Sequence, residues 1–278
     1  MKKILTAFYL VLLSVGIAGC EGNEAPGPYG RPPVNEKSYI QGFFELNDLH
    51  VGPISGFKVN KDNNSITLDT SFDAPRVYDI SNNVGLSILI GSEGIGKGLI
   101  NWQKGRDSYF DYYNELVEKI GDTSYNSKLM YGFSSNGIVA VADTLQSVNI
   151  TCNKQIDEKH PAGSSLNDLF SVYFEDPYAV IKNGYKSLTG ENYYSLEGII
   201  PEILKDFPYS IFGAKLSSVD LTTKPYMGIA WRVLLDTAPE TTGEYTFTVS
   251  ITNKQGKTIE RTAAPIKLKG LSDIRNQQ

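Results

Sequence analysis

The chain has 278 residues, 41% of them hydrophobic, with 26 basic and 31 acidic side chains and a net charge of −5. That balance suits a globular protein and holds no basic run, so it excludes nucleic acid as a partner, since phosphates demand clustered Lys and Arg. With only two cysteines and two histidines, a zinc site built from several imidazoles or thiolates is excluded too.

Lys2 and Lys3 precede an apolar run from Ile4 to Gly19 that ends in Ile17-Ala18-Gly19-Cys20. The positive charges hold the start of the run on the cytoplasmic side, and the run is shorter than the roughly 20 residues a spanning helix needs. Ile17 to Cys20 resembles the lipobox of bacterial lipoproteins, which implies cleavage before Cys20 and lipid on its thiol. The membrane is then a partner reached through that lipid, at the outer membrane or the cell surface. On this reading residues 1–19 are a signal peptide and residues 20–37 are the lipidated cysteine and a disordered tether. Four prolines and three glycines in 21–37 leave little to bury. Residues 38–278 form a mainly β globular domain. Glu21 and Glu24 resemble the acidic signal that sends Bacteroidetes lipoproteins to the cell surface. With Cys20 occupied, Cys152 has no partner in the chain and no disulfide is expected.

From Ser38 onward the dominant hydrophobic period is two. Phe57 and Val59, then Ile66 and Leu68, flank Lys61-Asp62-Asn63-Asn64 as two strands about a polar turn. Val84 to Ile90 is a short apolar run suited to a strand buried on both faces. Asp107 or Ser108 can cap a helix whose Phe110, Tyr113, Val117 and Ile120 share a side, with Gly121 as its stop and Glu115 placed to pair with Lys119. Strands are predicted over Ile138 to Val141 and Val148 to Cys152, where alternation puts Cys152 beside Val148 and Ile150 as a buried, inert thiol. Ser164 or Ser165 can cap a single turn through Phe170, and Pro201 can open a short helix holding Ile203, Leu204 and Phe207. Tyr226 to Leu235 is a further strand. Tyr245, Phe247, Val249 and Ile251 then alternate with Thr246, Thr248, Ser250 and Thr252, as expected of half-buried antiparallel sheet. A turn at Asn253 to Gly256 leads into a last strand near Thr258 to Leu268. Many short strands with few helices predict an antiparallel β-sandwich with short helical insertions. Gly243 to Val249 is similar to the penultimate strand of immunoglobulin-like domains.

Few motifs carry chemistry. Gly91-Ser92-Glu93-Gly94-Ile95-Gly96-Lys97-Gly98 has the glycine and lysine spacing of a phosphate loop, but Gly98 stands where magnesium needs Ser or Thr, so no nucleotide is expected. Gly132 to Gly137 begins like a nucleophile elbow without the glycine at its fifth position. His50, beside a strand end at Val51-Gly52-Pro53, and His160, before Pro161-Ala162-Gly163, are expected to be solvent-facing or cap-like, and no carboxylate spacing points to a glycosidase pair. Asp62-Asn63-Asn64 and Asp157-Glu158 lack the spacing of a calcium loop, so neither metal nor cofactor is expected. The compositional excess is 17 tyrosines, which offer apolar area plus a hydroxyl for protein or glycan contacts. Tyr109 and Tyr112 on the first helix, and Tyr193 and Tyr194 in a polar loop, are the candidate binding residues.

The run from Ser147 to Asp168, reading strand, Asn153-Lys154, an acidic turn, His160-Pro161-Ala162-Gly163 and Ser165-Leu166-Asn167-Asp168, resembles an uncharacterised lipoprotein family of gut Bacteroidetes. That resemblance implies setting and fold type and assigns no catalytic residue. Asp143-Thr144-Leu145 and Asp236-Thr237-Ala238 resemble the O-glycosylation sequon of these bacteria, with Thr144 and Thr237 as acceptors. The expectation is a lipid-anchored, non-catalytic binding or envelope-assembly module, with a surface glycosidase or peptidase as the alternative.

Overall fold

The computed structural model describes residues 38–55, 57–68, 77–80, 83–91, 99–101, 109–125, 138–196, 208 and 210–275. The predicted signal peptide, Cys20, the tether, most of the 91–98 glycine loop, the caps at 107 and 108, the 132–137 motif and the helix at Pro201 lie outside them. The strands are β1 (Ile40–Phe44), β2 (Leu49–Ile54), β3 (Phe57–Asn60), β4 (Ser65–Leu68), β5 (Gly85–Ile90), β6 (Leu99–Asn101), β7 (Ile138–Val141), β8 (Leu145–Cys152), β9 (Phe170–Glu175), β10 (Tyr193–Leu196), β11 (Ile211–Lys215), β12 (Ala230–Leu235), β13 (Gly243–Tyr245), β14 (Phe247–Asn253), β15 (Thr258–Thr262) and β16 (Ile266–Leu268). The α-helices are α1 (Tyr109–Ile120), α2 (Pro177–Lys182) and α3 (Leu271–Arg275). None is long and apolar enough to cross a membrane. The protein is mainly β, as the alternation predicts.

The chain divides into two compact units, Met1–Phe43 with Leu99–Ala140, and Phe44–Gly98 with Val141–Gln278. In the first, α1 buries Tyr113, Leu116, Val117 and Ile120, the i, i+3, i+4 stripe of an amphipathic helix. It ends at Gly121, whose φ of +74° supplies the left-handed stop. Asp122, fully buried, accepts the N–H groups of Tyr39 and Ile40 at 2.8 and 2.7 Å. Tyr113 donates its hydroxyl to the Ile40 carbonyl at 2.7 Å, so the helix exit is tied to the start of β1.

The second unit is an antiparallel sandwich. A large sheet runs β2-β5-β12-β9-β11-β10-β4-β3, and a small one runs β15-β14-β8. Every pairing given for them is antiparallel except β10 with β4. Phe170, Val172 and Phe174 of β9, Trp231 and Val233 of β12, and Phe247, Val249 and Ile251 of β14 share one core. The Phe170 and Phe247 rings meet edge to face at 5.7 Å across the gap between the sheets. Cys152 is buried in the same core opposite Phe247, as its alternation predicts. Tyr245 donates its hydroxyl to the Thr241 carbonyl at 2.6 Å, the local closure that marks a tyrosine corner in immunoglobulin-like sandwiches.

Several boundaries differ from the sequence reading. The strand expected from Tyr226 begins at Ala230, because Tyr226 has φ +58° and turns the chain after Pro225. The Tyr245 strand breaks at Thr246 into β13 and β14, and Pro265, which cannot donate to a ladder, separates β15 from β16. The turn before Phe170 spans Asn167–Leu169 with no side-chain cap, since the Ser164 hydroxyl goes instead to the Pro161 carbonyl. α2 was not anticipated, although Asp176-Pro177 is a cap followed by proline at the first helical position, and Asp176 accepts from the Ala179 N–H at 3.1 Å.

The large sheet has one further property that positions a site. Its first and last strands, β2 and β3, are consecutive in the chain and joined only by Ser55 and Gly56. Two intervening residues make three Cα–Cα steps, at most about 10 Å or two strand spacings, so the sheet must curl until its ends approach. Ile54 of β2, Phe57 of β3 and Ile66 of β4 accordingly pack with Tyr173, Ile211 and Leu234 on the face turned away from the sandwich core. That face is concave.

Candidate functional site

The concave face is set by register. Gly52 of β2, Ser87 of β5, Arg232 of β12, Tyr173 of β9 and Gly213 of β11 lie side by side in one row. Their neighbours Val51, Trp231, Val172 and Phe212 point the other way, into the sandwich core, because side chains alternate across a sheet. Ala230 and Glu175 occupy the next row, so Glu175 is a diagonal neighbour of Arg232.

Small residues shape the surface. A side chain at Gly213 would meet Tyr173 ring carbons at 2.5 Å and a Tyr194 ring carbon at 2.8 Å, so glycine lets those two rings lie against the strand. They meet edge to face at 5.6 Å. A side chain at Gly228 would collide with the Glu175 Cβ at 2.7 Å, so that glycine leaves room for the glutamate. At Gly52 no described atom lies within 4 Å of where a Cβ would stand.

The electrostatics follow from this enclosure. Arg232 donates through Nη1 to Ser87 Oγ at 2.9 Å and to the Trp231 carbonyl at 3.0 Å. Burial drives the Glu175 carboxyl up from about 4.5 to about 7, with the attraction of Arg232 pulling it partly back. No hydrogen bond reaches that carboxyl among the described residues. Burial likewise pushes the Tyr173 hydroxyl up to about 12. The arrangement offers a carboxyl poised between acid and base near neutral pH, an adjacent guanidinium and an aromatic wall.

Of the four candidate tyrosines, only Tyr194 lines this face. Its chain neighbour Tyr193 points the opposite way, toward Phe212 of the sandwich core at 5.7 Å, and both lie on β10 where a polar loop was expected. The Tyr193 hydroxyl donates to Asp176 Oδ2 at 3.1 Å, and Lys224 donates to the same oxygen at 2.7 Å while standing 3.7 Å from the Phe212 ring centroid. Burial and the Asp176 charge push Tyr193 well above the usual tyrosine range. It is a structural residue, holding the cap of α2. Tyr112 is half-buried on α1, in the other unit, and the Tyr109 side chain lies outside the described residues.

Thr144 and Thr237 are both half-buried. Asp143 accepts from the Leu46 N–H at 2.6 Å and from Asn253 at 2.7 Å, and Asp236 accepts from Ser171 and Lys215. The aspartate of each sequon is thus engaged in the fold.

His160 corrects the reading of a solvent-facing turn residue, although its cap-like role holds. It is only 8% exposed, with Nδ1 2.7 Å from Asp157 Oδ1 and Nε2 3.1 Å from Asp168 Oδ1. Desolvation pushes Asp157 up, but hydrogen bonds from the His160 ring and the Lys159 N–H outweigh it and hold the carboxyl below the usual range. Both ring nitrogens face carboxylates, so the imidazole has no hydroxyl or thiol to activate. It fastens a loop over the edge of β8. There Asn167 accepts from the Ile150 N–H at 3.1 Å and donates to the Val148 carbonyl at 2.8 Å, as a neighbouring strand would. Cys152 is equally removed from chemistry, since burial raises its thiol despite nearby backbone N–H groups. His50, by contrast, is exposed and stands 3.2 Å from Asp48, which also holds Arg261 at 2.7 Å.

Glu175, Arg232 and Tyr173 were missed as site residues. Two signals could have found them: Phe170 to Glu175 alternates large apolar residues with Ser171, Tyr173 and Glu175, and Arg232 interrupts the apolar run Ala230 to Leu235. A charge inside a buried strand is uncommon without a role. No family model, no curated protein and no solved structure matches the chain.

Proposed function

We propose that this chain is a lipid-anchored extracytoplasmic protein of the outer membrane or cell surface, acting as a non-catalytic binding module through the concave face of its large sheet. The anchoring rests on Lys2, Lys3 and the Ile17 to Cys20 lipobox. The binding role rests on one observation, the Glu175 carboxyl set beside Arg232 in a recess walled by Tyr173 and Tyr194. Binding sites favour such concave places, mouths of curled sheets among them, with a few polar groups on an apolar wall.

Assembly by strand addition is the weaker form of the reading. The β8 edge is covered by Asn167, β2 carries Pro53, and β15 carries Glu260 and Arg261 with Pro265 just beyond. Edges blunted in this way resist pairing with another chain. A hydrolase is favoured by one fact alone, that a carboxyl held near neutral pH suits a general acid.

The test has two arms. Cys20→Ala should abolish labelling by a fatty-acid probe and release the protein from membranes, and retained label would refute the lipoprotein reading. Incubation of the purified protein with envelope polysaccharide and peptide digests should yield retention without cleavage, and products lost in Glu175→Gln would establish the hydrolase instead.

A further inference from the structure

We infer that Lys224 and Asp176 are a modification site of the chain itself, where the two side chains condense into an amide cross-link. The inference is independent of the concave face and of any ligand there.

Contact and enclosure single out this pair. Lys224 Nζ stands 2.7 Å from Asp176 Oδ2, with the lysine side chain 17% exposed and the aspartate 2%. The Phe212 and Tyr193 ring centroids lie 3.7 and 5.6 Å from Nζ, so two aromatic rings hold the nitrogen against the carboxyl. An ion pair in such a place is a weak stabiliser, because desolvating both charges offsets their attraction. Covalent closure removes both charges. Lys215 and Asp236 approach as closely, at 2.6 Å, but their side chains are 49% and 31% exposed, and there water competes for both.

The two carboxyl oxygens already have different partners. Oδ1 accepts the Ala179 N–H at 3.1 Å and stays as the amide oxygen. Oδ2 accepts the Tyr193 hydroxyl at 3.1 Å as well as Lys224, and it is the oxygen that leaves. The ammonium first passes a proton to Oδ2, which puts an amine and a carboxylic acid in contact. The amine lone pair then attacks Cγ, a C–N bond forms and the C–Oδ2 bond breaks. Tyr193 hands its proton to Oδ2 and regains one from the nitrogen, so Oδ2 departs as water. Ammonium plus carboxylate thus become amide plus water, with no redox change and no outside reactant. Groups held in contact react at a high effective concentration, which favours such a condensation. The bond joins the start of α2 to the segment entering β12 and closes a loop around residues 177–223, β10 and β11 among them, which restrains the unfolded chain.

The test digests the full-length protein, purified in detergent, with trypsin and measures the peptide masses. Asp176 falls in peptide 160–182 and Lys224 in peptide 216–232, because trypsin spares the Lys224-Pro225 bond. The two should appear as one species, lighter than their sum by one water, about 18 Da, and fragmentation should place the link on Lys224 and Asp176. Lys224→Met, whose unbranched side chain can lie on Phe212, should release the two peptides separately, and in Tyr193→Phe at least half of the protein should stay unlinked. Separate peptides from the wild type would overturn the inference. A second link between Lys215 and Asp236 would also overturn it, since contact alone would then suffice, and complete linkage in Tyr193→Phe would overturn the proton path.

Discussion

Replacing Glu175 by Gln should change how stability depends on pH. In the folded protein this carboxyl keeps its proton to about pH 7, whereas its ordinary value is about 4.5. Between those two values the folded state binds a proton that the unfolded chain has released, so stability falls as pH rises. Each pH unit across the window costs about 1.4 kcal/mol, which amounts to about 3 kcal/mol by the time the folded carboxyl is ionised. Below pH 4.5 both states are protonated and the cost vanishes. Urea unfolding of wild type and Glu175→Gln at pH 5, 6, 7 and 8 isolates the effect, because contributions from other groups cancel in the difference. The variant should gain on wild type by about 2.5 kcal/mol from pH 5 to pH 8, with most of the gain before pH 7. Parallel curves would mean that Glu175 is well solvated, and the enclosed recess would fall with it.

Phe247→Ala should cost about 3 to 5 kcal/mol, since it opens a cavity in the core and removes the edge-to-face contact with Phe170, while Thr248→Ala, which loses one exposed hydroxyl pair, should stay within about 0.5 kcal/mol. Equal losses in thermal unfolding would refute the assigned faces of β14. Cys152 should react with a thiol reagent slowly in the native protein and fully once denatured, because it is 3% exposed and burial raises its pKa; fast native labelling would contradict this. Asn167→Ala should cost about 1 to 3 kcal/mol by baring two backbone groups of β8. Hydrogen exchange at the Ile150 amide should accelerate in that variant, and unchanged protection would show that the loop covers the edge without the side chain.

How much was legible in the sequence depends on how far apart the interacting residues lie. The β3 and β4 hairpin pairs Val59 with Ile66 about the predicted turn, α1 ends at Gly121, and Tyr245, Phe247, Val249 and Ile251 are all buried. These features are local: a period of two, a polar turn or a glycine needs only a few neighbours to act. The burial of Cys152 was legible for the same reason, since alternation alone put it beside Ile150.

The site belongs to the tertiary structure. Adjacent residues Tyr193 and Tyr194 look alike in sequence, yet strand alternation sends one into the α2 cap network and the other onto the concave face, and no local pattern shows which face curls inward. Glu175 and Arg232 become neighbours only when β9 pairs with β12, and one shift of register would turn both into the core. His160 read as a turn residue because Asp168, its second partner, arrives only after the chain folds back along β8. The curl itself follows from β2 and β3 ending at opposite edges of one sheet while two residues join them. Composition and periodicity determine which residues a strand buries; which strands meet is decided by long-range pairing, and that pairing alone turned a charged strand residue and a partly buried carboxyl into a recess.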